Sequence, residues 1–172
     1  GICSMKDQLN ECRELSINNV KLYAEELLKI IIAASKASVV LMDFKLSNVV
    51  LVTDGHGNTR YKAIDFECSR NHHEDISTET SSNYSCPEIA RWVLHGCLSS
   101  ENPKASHKMD VMACGLCLYE LATAIVYNGK SRTFWENGGV AHGQPINDRS
   151  INIALSELTD AKVMSILEKT FH

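Results

Sequence analysis

The stretch of sequence that decides the fold is LMDFKLSN, residues 41–48. It is flanked by two short runs rich in β-branched residues, 39–41 and 49–53, and such runs are typical of strands. Polar side chains that directly follow short apolar strands are held at a surface edge, where a ligand can reach them. The polar side chains placed in this way are Asp43, Lys45 and Asn48.

A second acid, Asp65, follows the next predicted strand, Thr59 to Ile64. The turn residues between positions 54 and 58 join this strand to the run 49–53, which predicts a hairpin. Two carboxylates, an amide and a lysine at one edge suit a divalent cation together with a phosphate. Hard oxygen ligands hold Mg²⁺, and an ammonium group offsets phosphate charge. The alternative is that each of these side chains only caps a turn.

Helical periodicity dominates the rest of the chain. It predicts a helix from about Ser16, as N-cap, to Ser38, and a final helical pair over 151–171. Residues 109–127 are apolar nearly all round, which favours a buried central helix over a membrane span because Asp110 and Glu120 interrupt the run. Residues 67–85 are polar and aperiodic, which predicts a long exposed loop. The predicted fold is α+β, mainly α, with a small β-hairpin sheet and a buried central helix.

The composition bounds the class of protein. The 172 residues fit one domain, with 44% hydrophobic and 22% charged residues, and this excludes wholesale disorder. A formal net charge of −4 argues against nucleic-acid binding or attachment to an anionic membrane by bulk charge. Seven cysteines, an odd number with no secretory signal before them, favour a reduced, intracellular and cytoplasmic chain.

The order of the motifs resembles the C-terminal lobe of a eukaryotic protein kinase. An Asp-x-Lys-x-x-Asn motif, a hairpin, Asp-Phe, a polar loop, Cys86-Pro87-Glu88 and an apolar helix that begins with an acid follow one another over nearly the whole chain. The resemblance implies a single partial kinase domain, residues 1–172, of Ser/Thr type and similar to the tyrosine-kinase-like group. It divides into a catalytic loop at 41–48, a metal motif at 65–67, an activation segment at 65–88 and a central helix at 109–127.

The resemblance also implies roles for particular residues. Asp43 matches the catalytic acid, Lys45 the phosphate-binding lysine, and Asn48 and Asp65 the Mg²⁺ ligands. The resemblance further implies that Val50 forms part of the floor beneath the adenine and that Ser81 supplies a hydroxyl on the substrate side. It gives structural roles to Phe66, Glu88 and Asp110. The expected cofactors are ATP and Mg²⁺. The expected partners are a nucleotide and a protein substrate or protein partner, with no nucleic acid and no membrane.

The sequence departs from the family pattern at several places. Leu41-Met42 replaces the usual His-Arg, so Leu41 is expected to pack beneath Phe66 without bonding Asp110, and the usual receptor for an activation-loop phosphate is lost. Glu67 replaces a glycine; it either strengthens cation binding or points to solvent.

Parts of the family domain are also missing from the sequence. No Gly-rich loop, strand lysine or helix glutamate precedes residue 16, so we expect the N-terminal lobe to be absent and this fragment alone to be inactive. The intact protein is then either a Ser/Thr protein kinase or an inactive pseudokinase that acts as a scaffold.

Two further motifs have structural alternatives. Cys114 and Cys117 have redox or zinc spacing, but lie in an apolar helix, which favours buried thiols. The run His72-His73-Glu74-Asp75 is either a solvated loop or an adventitious metal site.

Overall fold

The structure is a computed structural model. It describes residues 3–11, 15–76, 84–94, 102–126 and 161–171.

The described residues form five α-helices and five short strands. The helices are α1 (Met5–Glu11), α2 (Ile17–Lys36), α3 (Pro87–Leu94), α4 (His107–Val126) and α5 (Ala161–Phe171). The strands are β1 (Cys3–Ser4), β2 (Val39–Val40), β3 (Val49–Thr53), β4 (Thr59–Ala63) and β5 (Arg70–Asn71). One antiparallel sheet has the order β1-β3-β4, and β2 pairs with β5 in a second antiparallel sheet. This mainly helical architecture with small sheets confirms the predicted α+β class.

Helix α2 begins where its capping residues predict. The Ser16 side chain accepts a hydrogen bond from the Asn19 amide at 3.2 Å, and the Asn19 side chain accepts one from the Ser16 amide at 3.0 Å. This reciprocal box satisfies two amides that the first turn of a helix leaves without partners. The helix ends at Lys36, two residues before the predicted end, because the backbone at Ser38 turns to φ +58.

Helix α4 is the centre of the protein. It packs against α2 and α5, and Cys114 and Cys117 on it are 2% and 0% exposed, which confirms them as buried thiols. Helix α4 is also long and apolar enough to cross a membrane, but 67% of its apolar window is buried inside the protein. Burial of this kind is what the core helix of a globular domain shows.

The main core joins the catalytic loop to the helices. Phe44 and Leu46, at 2% and 0% exposure, point from this loop into the layer between α2 and α4. Because protein interiors are close-packed, side chains anchored there fix the backbone that carries them. The buried side chains of Phe44 and Leu46 thus fix the catalytic loop against the core.

The hairpin formed by β3 and β4 matches the prediction closely. Its register runs from Val49 opposite Ala63 to Thr53 opposite Thr59. In the turn, one oxygen of Asp54 accepts the amides of residues 56 and 58, both at 2.9 Å, and Gly57 takes φ +82. The second strand ends at Ala63, one residue earlier than predicted, and the 3-10 turn Leu46–Asn48 leads into the first.

Some predictions are wrong or lie outside the described residues. The predicted exposed loop at 67–85 contains strand β5, which pairs with β2 from a distant part of the sequence. Strand β1 and helix α1 at the start of the chain were not predicted; β1 has only two residues and forms by pairing with β3. The central helix begins at His107 and ends at Val126, rather than at 109 and 127. Of the predicted pair at 151–171, α5 is described, and its predecessor lies outside the described residues.

Candidate functional site

The predicted catalytic residues come together at the end of β2. The Oδ2 atom of Asp43 accepts hydrogen bonds from Lys45 Nζ at 2.6 Å and from Asn48 Nδ2 at 3.1 Å. Asn48 Nδ2 also donates to the backbone carbonyl of Asp43 at 3.1 Å, which closes the loop on itself. Three of the residues that the sequence singled out therefore form one hydrogen-bonded unit.

The second carboxylate oxygen of Asp43 differs from the first. Its Oδ1 atom is buried and has no hydrogen-bond partner in the part of the chain that the structure describes. A buried carboxylate oxygen without a donor is energetically costly, so native proteins rarely keep one without a reason. Because Oδ2 is engaged by Lys45 and Asn48, Oδ1 is the carboxylate oxygen that remains to accept a hydrogen bond from a ligand.

Asp110, in the first turn of α4, anchors the catalytic loop. Its carboxylate, 2% exposed, accepts the Leu41 amide at 2.9 and 3.1 Å and the Met42 amide at 3.1 Å. Burial raises the pKa of Asp110, and the hydrogen bonds from the two amides work in the opposite direction. Leu41 thus still contributes to the anchor through its backbone, although its side chain cannot hydrogen-bond the acid.

The anchored backbone takes an unusual conformation directly before Asp43. Met42, the residue immediately before Asp43, has φ +64, a left-handed conformation that non-glycine residues seldom adopt. The two amides bound to Asp110 belong to this residue and to the one before it. A strained conformation persists only where its surroundings over-determine it, and here Asp110 supplies that constraint.

The oxygen donors predicted for magnesium lie at the start of β3 and just after β4. The Ile64 amide donates to the Asn48 carbonyl at 2.9 Å, which ties the two positions together through the backbone. Asp65 is exposed, has φ +63, and forms no hydrogen bond or ion pair with any described residue. Because Nδ2 of Asn48 is engaged by Asp43, its Oδ1 atom and the Asp65 carboxylate are the oxygens left for a cation.

This donor set fits magnesium and not a protein-only metal cage. No three histidine, cysteine, aspartate or glutamate side chains among the described residues converge on a metal position. Magnesium is commonly bound by one or two carboxylate or amide oxygens and completes its shell with substrate phosphates and water. One carboxylate and one amide oxygen therefore match a magnesium site that a nucleotide completes.

Phe66 lies beside a groove of about 730 Å³ between α2 and β4. It is 54% exposed, whereas Leu41 on the floor of the groove is 5% exposed. Both side chains line the same groove, but Phe66 is not buried against Leu41. Glu67 is exposed, in agreement with the alternative that it points to solvent.

The remaining predicted residues are dispersed. Val50 is 3% exposed in the central strand of the sheet, opposite Ser4 on one side and Lys62 on the other. Glu88 is exposed in the first turn of α3, where a carboxylate complements the positive end of the helix. Ser81 lies outside the described residues.

Sequence reasoning missed the structural role of Glu120. Its side chain is fully buried in α4, where Lys6 of α1 forms an ion pair with one carboxylate oxygen and the Tyr84 hydroxyl donates to the other. It therefore joins α1 and the segment before α3 to the central helix. The available signal was the position of an acid inside an apolar helix, because a buried carboxylate requires partners.

The comparison with known families agrees with this geometry. A scan against protein-family models matches the one described as protein kinase domain over residues 2–158 of the 172. The chain belongs to the protein kinase family. A search of curated proteins finds none that matches it.

Proposed function

We propose that the intact protein transfers the γ-phosphoryl group of ATP to serine or threonine hydroxyls of protein substrates inside the cell. The observation that carries the proposal is the Asp43 carboxylate, in which Oδ2 is held by Lys45 and Asn48 while Oδ1 is buried without a partner. A fixed carboxylate with one oxygen that has no hydrogen-bond donor is suited to orient a hydroxyl and to accept its proton.

Asp43 and Lys45 have different roles at the reacting atoms. Oδ1 of Asp43 accepts a hydrogen bond from the substrate hydroxyl and takes its proton as the hydroxyl oxygen bonds to the γ-phosphorus. The bond from that phosphorus to the β,γ-bridging oxygen breaks in the same step, and ADP leaves. Lys45, whose ammonium lies 2.6 Å from Oδ2, reaches the transferred phosphoryl group and offsets its negative charge. A lysine two residues after the acid is the feature of the sequence that supports Ser/Thr rather than tyrosine specificity.

Asn48 and Asp65 would hold the metal. Bound magnesium neutralises charge on the nucleotide phosphates and keeps them in line for transfer. The Asn48 side chain is oriented for this role because its amide nitrogen is bonded to Asp43. Val50, in the central strand, would contact the adenine.

A kinase assay on the full-length protein tests the proposal. We expect Asp43→Asn and Asp65→Asn each to lower kcat/KM by at least about 100-fold with Ser/Thr peptides and Mg-ATP. Asp75→Asn, at an exposed acid that pairs with Lys104, is the matched control and should leave the rate unchanged. Phosphotransfer that survives both active-site substitutions would exclude the mechanism, and transfer to tyrosine alone would exclude the substrate class.

A second candidate function is a pseudokinase or scaffold that binds protein partners. It is favoured by Leu41-Met42 in place of His-Arg, by Glu67 in place of glycine, and by the half-exposed Phe66 beside an open groove. Turnover of Mg-ATP by the native full-length protein, abolished by Asp65→Asn, would exclude this candidate. Partner binding that persists in a protein without turnover would support it.

A further inference from the structure

Three histidines from two distant parts of the chain form a cluster beside α4. The ring of His72 stacks on that of His107, with centroids 4.5 Å apart and planes 13° from parallel. The ring of His73 meets that of His72 edge-on, at 3.8 Å and 68°. The exposed histidine of the hairpin turn, His56, has no ring contact of this kind with any described residue.

The cluster lies where the segment after the metal motif is tied to the rest of the protein. The His72 amide donates to the Ser38 carbonyl at 3.0 Å, and the His73 amide donates to the Ala105 carbonyl at 2.9 Å. The Ala105 amide returns a hydrogen bond to the Glu74 carbonyl at 2.8 Å. The packed rings and this ladder together hold residues 71–76 against the approach to α4.

The same cluster reaches the anchor of the catalytic loop. His107 is the first residue of α4, and Asp110, which accepts the two catalytic-loop amides, lies one turn further along the same helix. The Nδ1 atom of His107 is buried and has no hydrogen-bond partner in the described ranges. His73 adopts φ +73, a strained conformation for a non-glycine residue, so this junction stores strain that opening would relieve.

We propose that the His72–His73–His107 cluster is an acid-sensitive latch, which holds residues 71–76 against the start of α4 when its rings are neutral and releases them when they are protonated. Stacked neutral imidazoles attract each other, whereas imidazolium ions at separations of 3.8 and 4.5 Å repel. The inference does not depend on the phosphoryl-transfer activity.

The direction of the pH dependence follows from the surroundings of His72. Burial and the two neighbouring imidazoles lower the pKa of His72 from its ordinary value of 6.5. An open segment binds protons more readily than the closed one, so the closed form loses stability as the pH falls through 6.5. The range between about pH 7.5 and 5.5 is where histidine responds to physiological acidification.

The acids around the cluster have partners of their own. Glu74 accepts the amide and side chain of Asn71, both at 2.8 Å, and Asp75 pairs with Lys104 at 2.6 Å. Asp110, the remaining nearby acid, is engaged by the backbone amides of Leu41 and Met42. The titratable and charged groups on the elements packed at the cluster are Lys36, Arg70, Glu74, Asp75, Lys104, Lys108 and Asp110.

Amide hydrogen exchange on the full 172-residue chain tests the latch. After correction for intrinsic rates, we expect protection of the His72, His73 and Ala105 amides to fall about tenfold between pH 7.5 and 5.5. His72→Gln and His107→Gln should remove most of this dependence, and the matched control His56→Gln should retain it. Protection that does not change with pH in the unmodified chain, or a dependence that both cluster variants retain, would overturn the proposal.

A second measurement uses the unmodified chain, so its outcome does not depend on whether the variants fold. In an NMR titration of the histidine ring protons, His72 should titrate below the ordinary histidine pKa of 6.5. A midpoint at or above 6.5 would overturn the proposal.

Discussion

The catalytic loop, 41–48, and the metal motif, 65–67, lie on either side of one hairpin, and the protein holds them in different ways. In the catalytic loop, Asp43 is tied to two neighbours and Phe44 is buried at 2% exposure. In the metal motif, Asp65 forms no side-chain bond with a described residue, and Phe66 is 54% exposed. The two motifs share the order acid-then-phenylalanine, so the comparison isolates the surroundings from the residue type.

On the proposed function, this difference is one between a half-site that the protein preforms and a half-site that ligands complete. Asp43 is positioned by its bonds to Lys45 and Asn48, by Asp110 and by the core beneath Phe44. The Asp65 carboxylate forms no bond with a described residue. Preorganised groups lose little free energy on binding, whereas ordering a free side chain is part of the cost of binding.

The largest expected effect comes from removing the two phenylalanines in turn. Phe44→Ala should lower the free energy of unfolding by about 4 kcal/mol, because it empties a fully buried site. Phe66→Ala should cost less than about 1 kcal/mol, since half of that side chain is already in water. Urea denaturation of both variants measures the contrast. Equal losses would show that the two motifs are held alike.

The next effect tests the anchor of the catalytic loop. Asp110→Ala should destabilise the chain by about 3 kcal/mol, because it leaves the Leu41 and Met42 amides without their acceptor in a buried site. Asp75→Ala is the control, since that acid is 60% exposed and its ion pair should contribute less than about 1 kcal/mol. The same denaturation experiment compares them. A loss no larger than that of the control would mean that the core alone holds the loop.

A smaller effect compares the two functional acids directly, without ligand. Asp43→Asn should cost about 1–2 kcal/mol, because it weakens the bonds to Lys45 and Asn48 at a largely buried position. Asp65→Asn should change stability by less than about 0.5 kcal/mol, since its side chain bonds no described residue. Thermal unfolding in a chelating buffer measures both. Destabilisation by Asp65→Asn would show that the metal motif is already held in the protein alone.

The last prediction compares the reactivity of cysteine thiols near the two motifs. Burial raises the pKa of Cys114 to about 12 and that of Cys117 well above its ordinary value, and both lie beneath the catalytic loop. Cys68, next to the metal motif, is only partly buried. At pH 8, iodoacetamide should alkylate Cys68 at least about tenfold faster than either, because the thiolate is the nucleophile. Mass spectrometry of the digested chain reads the rates, and equal rates would indicate that α4 opens readily.

The sequence by itself determined the elements that have a local cause. Ser16 and Asn19 begin α2 through their own side chains, Asp54 and Gly57 turn the hairpin, and the all-round apolar run at 109–127 required burial. The sequence also predicted that Asp43, Lys45 and Asn48 lie at one surface edge, because they follow a short apolar strand within six consecutive positions. These features depend on contacts between residues that are near neighbours in the chain.

The tertiary structure alone decided the pairings between distant segments. Strand β5 exists because β2 lies opposite it, β1 because β3 does, and neither two-residue strand has a period to detect. The burial of Glu120 with Lys6 and Tyr84 likewise joins residues far apart in sequence, whereas the anchoring role of Asp110 was expected from the family resemblance. Hydrogen bonds and charge pairs of this kind form only after the core has brought their partners together, so no local pattern announces them.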